Sequence, residues 1–346
     1  MVPPTWTGRV KGFSLAGLLG LALASAGLGF AGQPETTDRF RLEGTVRLPG
    51  DVPLDPTKTE ILLEGATFPY SRRTRIWPSG KFVFSGVPAG MYRLIVSVAA
   101  WGSREYSVDI GPSTANERGV VERRFTFEPD PGTSAGGTVD YRQLNVDRRA
   151  QRALAKAEEL LGKQEVEKAI AKLHEALEIA PHYAAAWNRL GTIHFLNRRF
   201  EEAKQCFLAA LEHEPNQYAA TVNLGAAYLE LGDFDAALRW NARAVEMRPT
   251  DPLAHSQLGQ TYFVQGDFTR AERELRKAKE LDPDHFSHPQ LVLAEIFRRQ
   301  HRYAELAGEL EDFLTRHPDS PAAPALREYL AAVRALLAAE SPAEGP

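Results

Sequence analysis

The chain has 346 residues, 43% of them hydrophobic, with 41 Lys+Arg against 45 Asp+Glu and one cysteine. A net charge of −4 speaks against a nucleic-acid surface. The lone Cys206 excludes an intramolecular disulfide and a thiolate-metal site, and reads as a small apolar residue of a helix. The chain opens with Arg9 and Lys11, an apolar run Phe13–Leu23, and Ala24-Ser25-Ala26, the basic, apolar and small-x-small order of an export signal. Residues 1–32 are therefore expected to direct export, with a mature N-terminus at or just after Gly27 and a periplasmic or extracellular location. Because Phe13 to Ala31 carries no charge, an uncleaved N-terminal anchor helix is the alternative. Membrane contact is expected only in that case.

Residues 33–130 change texture. Alternating or β-branched runs (Phe40–Leu48, Glu60–Thr67, Lys81–Val87, Met91–Val98, Arg104–Ile110 and Val120–Phe127) are separated by Pro, Gly, Asp and Ser clusters. Short strands at this spacing predict an antiparallel all-β sandwich of about seven strands. The stretch Gly80-Lys81-Phe82-Val83-Phe84-Ser85-Gly86-Val87-Pro88-Ala89-Gly90-Met91-Tyr92 resembles the core of carboxypeptidase-regulatory-like domains, which are transthyretin-like sandwiches. The resemblance implies an accessory module without chemistry of its own, with Phe82, Phe84, Tyr92 and Leu94 pointing inward. Tyr70, Trp77, Trp101 and Tyr106 are candidates for a sugar-stacking platform, and Arg72-Arg73-Thr74-Arg75 for an anion grip; core aromatics and a solvated loop are the plainer readings. A carbohydrate or cell-wall binding protein, with the second half recruiting an enzyme, is the alternative function this domain raises.

Residues 131–146 contain Pro-Gly and Ser-Ala-Gly-Gly without apolar periodicity, which predicts a flexible linker and halves that fold independently. Beyond it the helical period of 3.6 takes over. Pro181, Pro215, Pro249 and Pro283 recur every 34 residues, the mark of an array of identical helical hairpins. In register with them stand Trp187, Leu190 and Gly191, then Leu224, Gly225 and Tyr228, then Leu258, Gly259 and Tyr262, with Ala203, Ala237 and Ala271 in the second helices. This resembles the tetratricopeptide repeat and implies an all-α solenoid, with five units over 147–320 and a capping helix over 321–340. The glycines are expected where paired helices cross. Gly232-Asp233-Phe234 and Gly266-Asp267-Phe268 read as a left-handed stop, a cap and an aromatic plug.

The solenoid has one concave side, lined by first-helix positions. The resulting groove candidates are Asn188, Thr192 and Phe195, then Val222, Asn223, Ala226 and Leu229, then Ser256, Gln257, Gln260 and Phe263, with Arg189, Leu196, Glu230 and Val264 beside them. Amides able to bond an extended backbone, interleaved with apolar residues, fit a protein or peptide partner. The array is acidic, with 26 Lys+Arg and 32 Asp+Glu from residue 131 onward. No nucleophile motif, P-loop or dinucleotide glycine pattern is present, so no catalytic residue, metal or cofactor is expected. The nearest approach to a metal cluster is Asp282-Pro283-Asp284-His285-Phe286-Ser287-His288, at a turn where such residues ordinarily cap or face solvent. The expected function is an exported, non-enzymatic adaptor.

Overall fold

The computed structural model describes residues 9–10, 13–14, 38–99, 101–127 and 146–340. The export signal and the linker therefore lie outside the described residues, apart from the antiparallel dipeptides β1 (Arg9–Val10) and β2 (Phe13–Ser14) and the linker's last residue.

Seven further strands build two stacked sheets. β3 (Arg39–Arg47), β6 (Lys81–Pro88) and β9 (Val120–Thr126) form one in the order β6-β3-β9. β4 (Thr59–Gly65), β5 (Ser71–Thr74), β7 (Gly90–Val98) and β8 (Gly102–Ile110) form the other in the order β5-β4-β7-β8. Alternation along each strand sends one face to a shared core, where Leu42, Phe82, Phe84 and Val121 meet Ile61, Leu63, Tyr92, Leu94 and Ile110. The four residues expected to point inward do so: Phe82, Phe84, Tyr92 and Leu94 are all buried. The Tyr92 hydroxyl donates to the Pro88 carbonyl at 2.8 Å and ties the turn between β6 and β7.

Two expectations are corrected. The sandwich is not wholly antiparallel, because β9 returns beside β3 in parallel. The Arg72-Arg73-Thr74-Arg75 stretch is not a loop, since Ser71–Thr74 pairs with β4 as an edge strand. Polar side chains hid it; pairing with β4 and the one helix packed on it make the strand.

Eleven helices follow among the described residues. α1 (Arg148–Gly162) and α2 (Val166–Ile179), α3 (Ala184–Leu196) and α4 (Phe200–His213), α5 (Tyr218–Glu230) and α6 (Phe234–Met247), α7 (Pro252–Val264) and α8 (Phe268–Leu281), α9 (Pro289–Arg299) and α10 (Tyr303–Arg316) are five hairpins. Each second helix stops two residues before a proline, from Pro181 to Pro318, because a proline removes the next amide donor and clashes with the preceding turn. α11 (Ala323–Glu340) lays Leu326, Tyr329, Leu330 and Val333 on the cluster that holds Leu306, Leu310 and Phe313 of α10.

The glycines of the first helices stand at the crossings. A β-carbon on Gly191 would lie 2.6 Å from the Phe207 ring, and one on Gly259 2.7 Å from Leu275 Cγ. At Gly225 the opponent is polar: Asn241 Oδ1 lies 1.9 Å from the position a β-carbon would take. Asn241 is fully buried and its amide donates to Thr261 Oγ1 at 2.9 Å, linking α6 to α7 of the next hairpin. Gly232 (φ 78°) and Gly266 (φ 81°) end their helices left-handed, and Asp233 and Asp267 accept from Ala236 and Arg270 amides at 3.0 Å. The aromatic plug holds for Phe268, which packs against Phe263, but Phe234 remains 38% exposed.

Candidate functional site: the groove and the sheet seated in it

The two halves are in contact with each other. Strand register puts Ser71, Glu64, Arg93 and Ser107 in one row across the outer face of β5-β4-β7-β8, and Arg73, Leu62, Ile95 and Glu105 in the next. That face is seated diagonally across the groove. Its β5 edge lies on α1, where a β-carbon on Gly162 would meet the Ser71 carbonyl at 2.8 Å, and Arg39 at the start of β3 donates to Gln164 at 3.4 Å. Glu64 pairs with Arg189 of α3. On β8, Arg104 donates to Thr250 Oγ1 at 3.0 Å before α7, Glu105 faces Asp251 and Arg248, and Ser107 faces Asp282 before α9.

Beside these hydrogen bonds runs a chain of ion pairs. Arg73 bonds Glu158 at 3.0 Å, Glu158 lies 3.7 Å from Arg189, Arg189 pairs with Glu64, Glu64 with Arg93 at 2.8 Å, and Arg93 with Glu105 at 3.5 Å. Six charges of alternating sign thus form one chain, in which the pairs Arg73–Glu158 and Glu64–Arg189 cross the boundary between domains. Among the described residues, no hydrophobic cluster has members from both domains. Burial raises the Glu64 carboxyl, but Arg189 and Arg93 more than offset it and hold it below the usual range. Glu105 ends the row with less help. Burial, with Asp251 and Glu64 adding repulsion and only Arg93 and Arg248 opposing, pushes it up to about 7. Asp109, further along β8, is raised to about 6 by burial and by Asp319 and Asp284, against Arg123.

These shifts fix a sign. A carboxyl whose pKa is higher in the native state binds more protons there than unfolded, so stability falls as pH rises from about 4.5 to 7. Glu105→Gln is expected to remove on the order of 2 kcal/mol of that dependence. Urea midpoints at about pH 5 and about pH 8 check it; a slope unchanged from the parent would place Glu105 outside the linkage.

Beside β5 lies a cleft of about 750 Å³, lined by Ser71, Arg73, Gln151, Glu158, Lys163 and Tyr183. It is not the anion grip the arginines suggested. Arg73 is engaged by Glu158 and Glu60, Lys163 by Glu159 at 2.6 Å, and Arg72 donates to the Ser85 carbonyl at 2.6 Å. The aromatic platform also dissolves. Tyr70 is core, edge-on to Tyr92; Tyr106 leans on Phe125 and donates to the Thr126 carbonyl; Trp101 packs on the same core; Trp77 is 53% exposed.

The groove candidates divide into two groups. Val222, Leu229, Ser256 and Gln257 are buried, and Gln257 sits over α6, its carbonyl accepting from Asn241. Asn188, Thr192, Phe195, Asn223, Ala226, Gln260 and Phe263 remain part-exposed, most of them along the C-terminal halves of α3, α5 and α7. Asn223 donates to Asn188 Oδ1 at 3.2 Å and to Thr192 Oγ1 at 3.4 Å, joining adjacent repeats across the concave face. Arg189, set among these residues, is the one that reaches the sheet. The charged partners of the sheet were missed because each reads singly as a solvated residue; a glutamate in the apolar run Ile61-Leu62-Leu63-Glu64 was the available signal.

At the Asp282–His288 turn, His285 Nδ1 lies 2.6 Å from Ser287 Oγ, and the Ser287 amide donates to the same nitrogen, a turn-closing arrangement in which burial pushes His285 down to about 3. The His288 ring stacks edge-on with Phe313 and His317. Among the described residues, no three His, Cys, Asp or Glu side chains converge to hold a metal, and no helix is long and apolar enough to cross a membrane.

A stack of helical hairpins with one concave face defines a repeat solenoid of the protein-interaction class. Tetratricopeptide repeat family models match the chain over residues 197–252 and over 148–220 and 228–296. Among solved structures it is similar to a thermophilic tetratricopeptide protein of Thermus thermophilus, at 20% identity and a TM-score of 0.44, over 54% of this chain and 99% of that one. It is also similar to YrrB, a tetratricopeptide protein with an unusual peptide-binding site, at 23% identity and a TM-score of 0.43, over 56% of this chain and 100% of that one. Similarity to pilF of Pseudomonas aeruginosa is at 17% identity and a TM-score of 0.47, over 59% and 96%. No curated protein matches. The region these family models match, residues 148–296, lies within the helical array behind the β domain.

Proposed function

We propose that the protein is an exported, non-enzymatic adaptor that holds a protein or peptide segment in the concave groove of its array. The observation that carries this reading is that the groove already receives a polypeptide surface, the chain's own sheet, through first-helix side chains such as Arg189. The strip left beside the sheet keeps Thr192, Phe195, Gln260 and Phe263 part-exposed, a mixture of hydrogen-bonding and apolar groups suited to an extended segment. Export rests on Arg9, Lys11, the apolar run and Ala24-Ser25-Ala26, and the turn motif around Pro88 and Gly90 supports a sandwich of the carboxypeptidase-regulatory-like kind.

The test is capture from a cell-envelope extract on the immobilised chain, with bound proteins identified by mass spectrometry. Asn188→Ala with Asn223→Ala is expected to weaken capture while costing the fold about 1 kcal/mol, since it removes one part-buried amide pair. Capture that survives the double substitution but disappears when residues 38–127 are deleted would move the partner site to the sandwich.

A further inference from the structure

Resting on that reading, we propose that the outer face of β5-β4-β7-β8 is a releasable occupant of the groove, and that a partner enters by presenting a carboxylate to Arg189 where Glu64 now sits. Three observations converge. The face meets the array from α1 to the turn before α9, so it covers groove length that a ligand would use. It does so, among the described residues, without a shared apolar cluster, through a chain of six alternating charges and hydrogen bonds such as that of Arg104 to Thr250. Buried ion pairs define geometry strongly but add little net free energy, because desolvation offsets their attraction. An interface built this way specifies where the sheet sits and still lets it leave. An apolar interface of equal extent would not.

The requirement for a carboxylate follows from what release uncovers. Arg189 keeps only 15% of its side chain exposed, and it contacts Glu64 and Glu158 together. With the sheet gone, Glu158 of the array is still 3.7 Å away, and the position vacated by Glu64 calls for an anion that an extended strand can supply. The closed form also responds to its surroundings. Glu105 lies 3.5 Å from Arg93 of β7 and within the fields of Glu64, Asp251 and Arg248, while Asp109 lies within those of Arg123, Asp284 and Asp319. Release is therefore favoured by salt, which screens the ion pairs that hold the face.

Ser71 reports the state. It lies opposite Glu64 on the outer face, yet it is fully buried. In the intact chain with Cys206→Ser, a Ser71→Cys thiol is expected to react with a soluble disulfide reagent only through release. Arg189→Glu should raise the labelling rate at least about tenfold, because it removes one partner from a buried network. Raising salt from about 0.1 M to about 1 M, which shortens the screening length from about 10 Å to about 3 Å, should do the same without any substitution. Helical circular dichroism unchanged in both cases separates release from unfolding. A synthetic peptide of residues 58–67 in excess should accelerate labelling, and its Glu64→Gln form should not. Equal labelling in parent, variant and high salt would overturn the releasable interface; equal action of the two peptides would overturn the carboxylate requirement. None of these readouts depends on capture from an extract, so the adaptor reading and this one fail separately.

Discussion

Gly225→Leu is expected to lower the stability of the array by about 3 kcal/mol, which for a unit of this size is a fall of about 6–12 °C in the thermal midpoint. The reason is positional. The space a β-carbon would need is taken by Asn241 Oδ1 at 1.9 Å, and Asn241 cannot swing away without giving up its bond to Thr261. Two losses therefore coincide, close packing within the third hairpin and the link to the fourth. Adding Asn241→Ala should return part of the loss, because it removes the steric opponent. Thermal melts followed at 222 nm decide the matter; a single substitution that melts with the parent would mean that α5 and α6 part without cost.

Phe82→Ala is expected to destabilise the sandwich by about 4 kcal/mol. Phe82 is fully buried between the sheets, stacked on Phe125 at 6.1 Å and edge-on to Phe84 at 5.9 Å, and its ring fills the space over Gly44. No smaller side chain reaches both neighbours, so the cavity persists. Guanidinium unfolding followed by tryptophan fluorescence should show an earlier transition from Trp77 and Trp101, ahead of Trp187 and Trp240. Coincident transitions at the parent midpoint would show that the two sheets close over the gap.

The array was legible in the sequence because each of its signals is local. Glycine, alanine and proline recur at fixed intervals, and every contact they specify lies within one hairpin or between neighbours. The inward residues of β6 and β7 were legible for the same reason, by period two. What escaped were features set by distant pairs. Nothing near Val120 says that β9 runs parallel to β3, a pairing across some eighty residues of chain. Ser71-Arg72-Arg73-Thr74 has no apolar alternation, and becomes a strand only because Ile61–Glu64 and α1 flank it. The seat of the sheet was hidden most thoroughly. Glu64, Arg93, Glu105, Glu158 and Arg189 are ordinary charged residues one at a time, and their meaning lies in the order of signs once folding has brought them together.

The diagonal position of the sheet has a mechanical consequence. A solenoid of stacked hairpins holds each unit only by its neighbours, so it can fray from either end and flex along its length like a spring. Here a four-stranded plate, about 14 Å across at about 4.8 Å per strand, is fastened to the first hairpin by Arg73 and to the third and fourth by Arg104 and its neighbours. It acts as a splint. While it is in place, the pitch of the spring is set by the width of a β-sheet, and the hairpins gain or lose their order together.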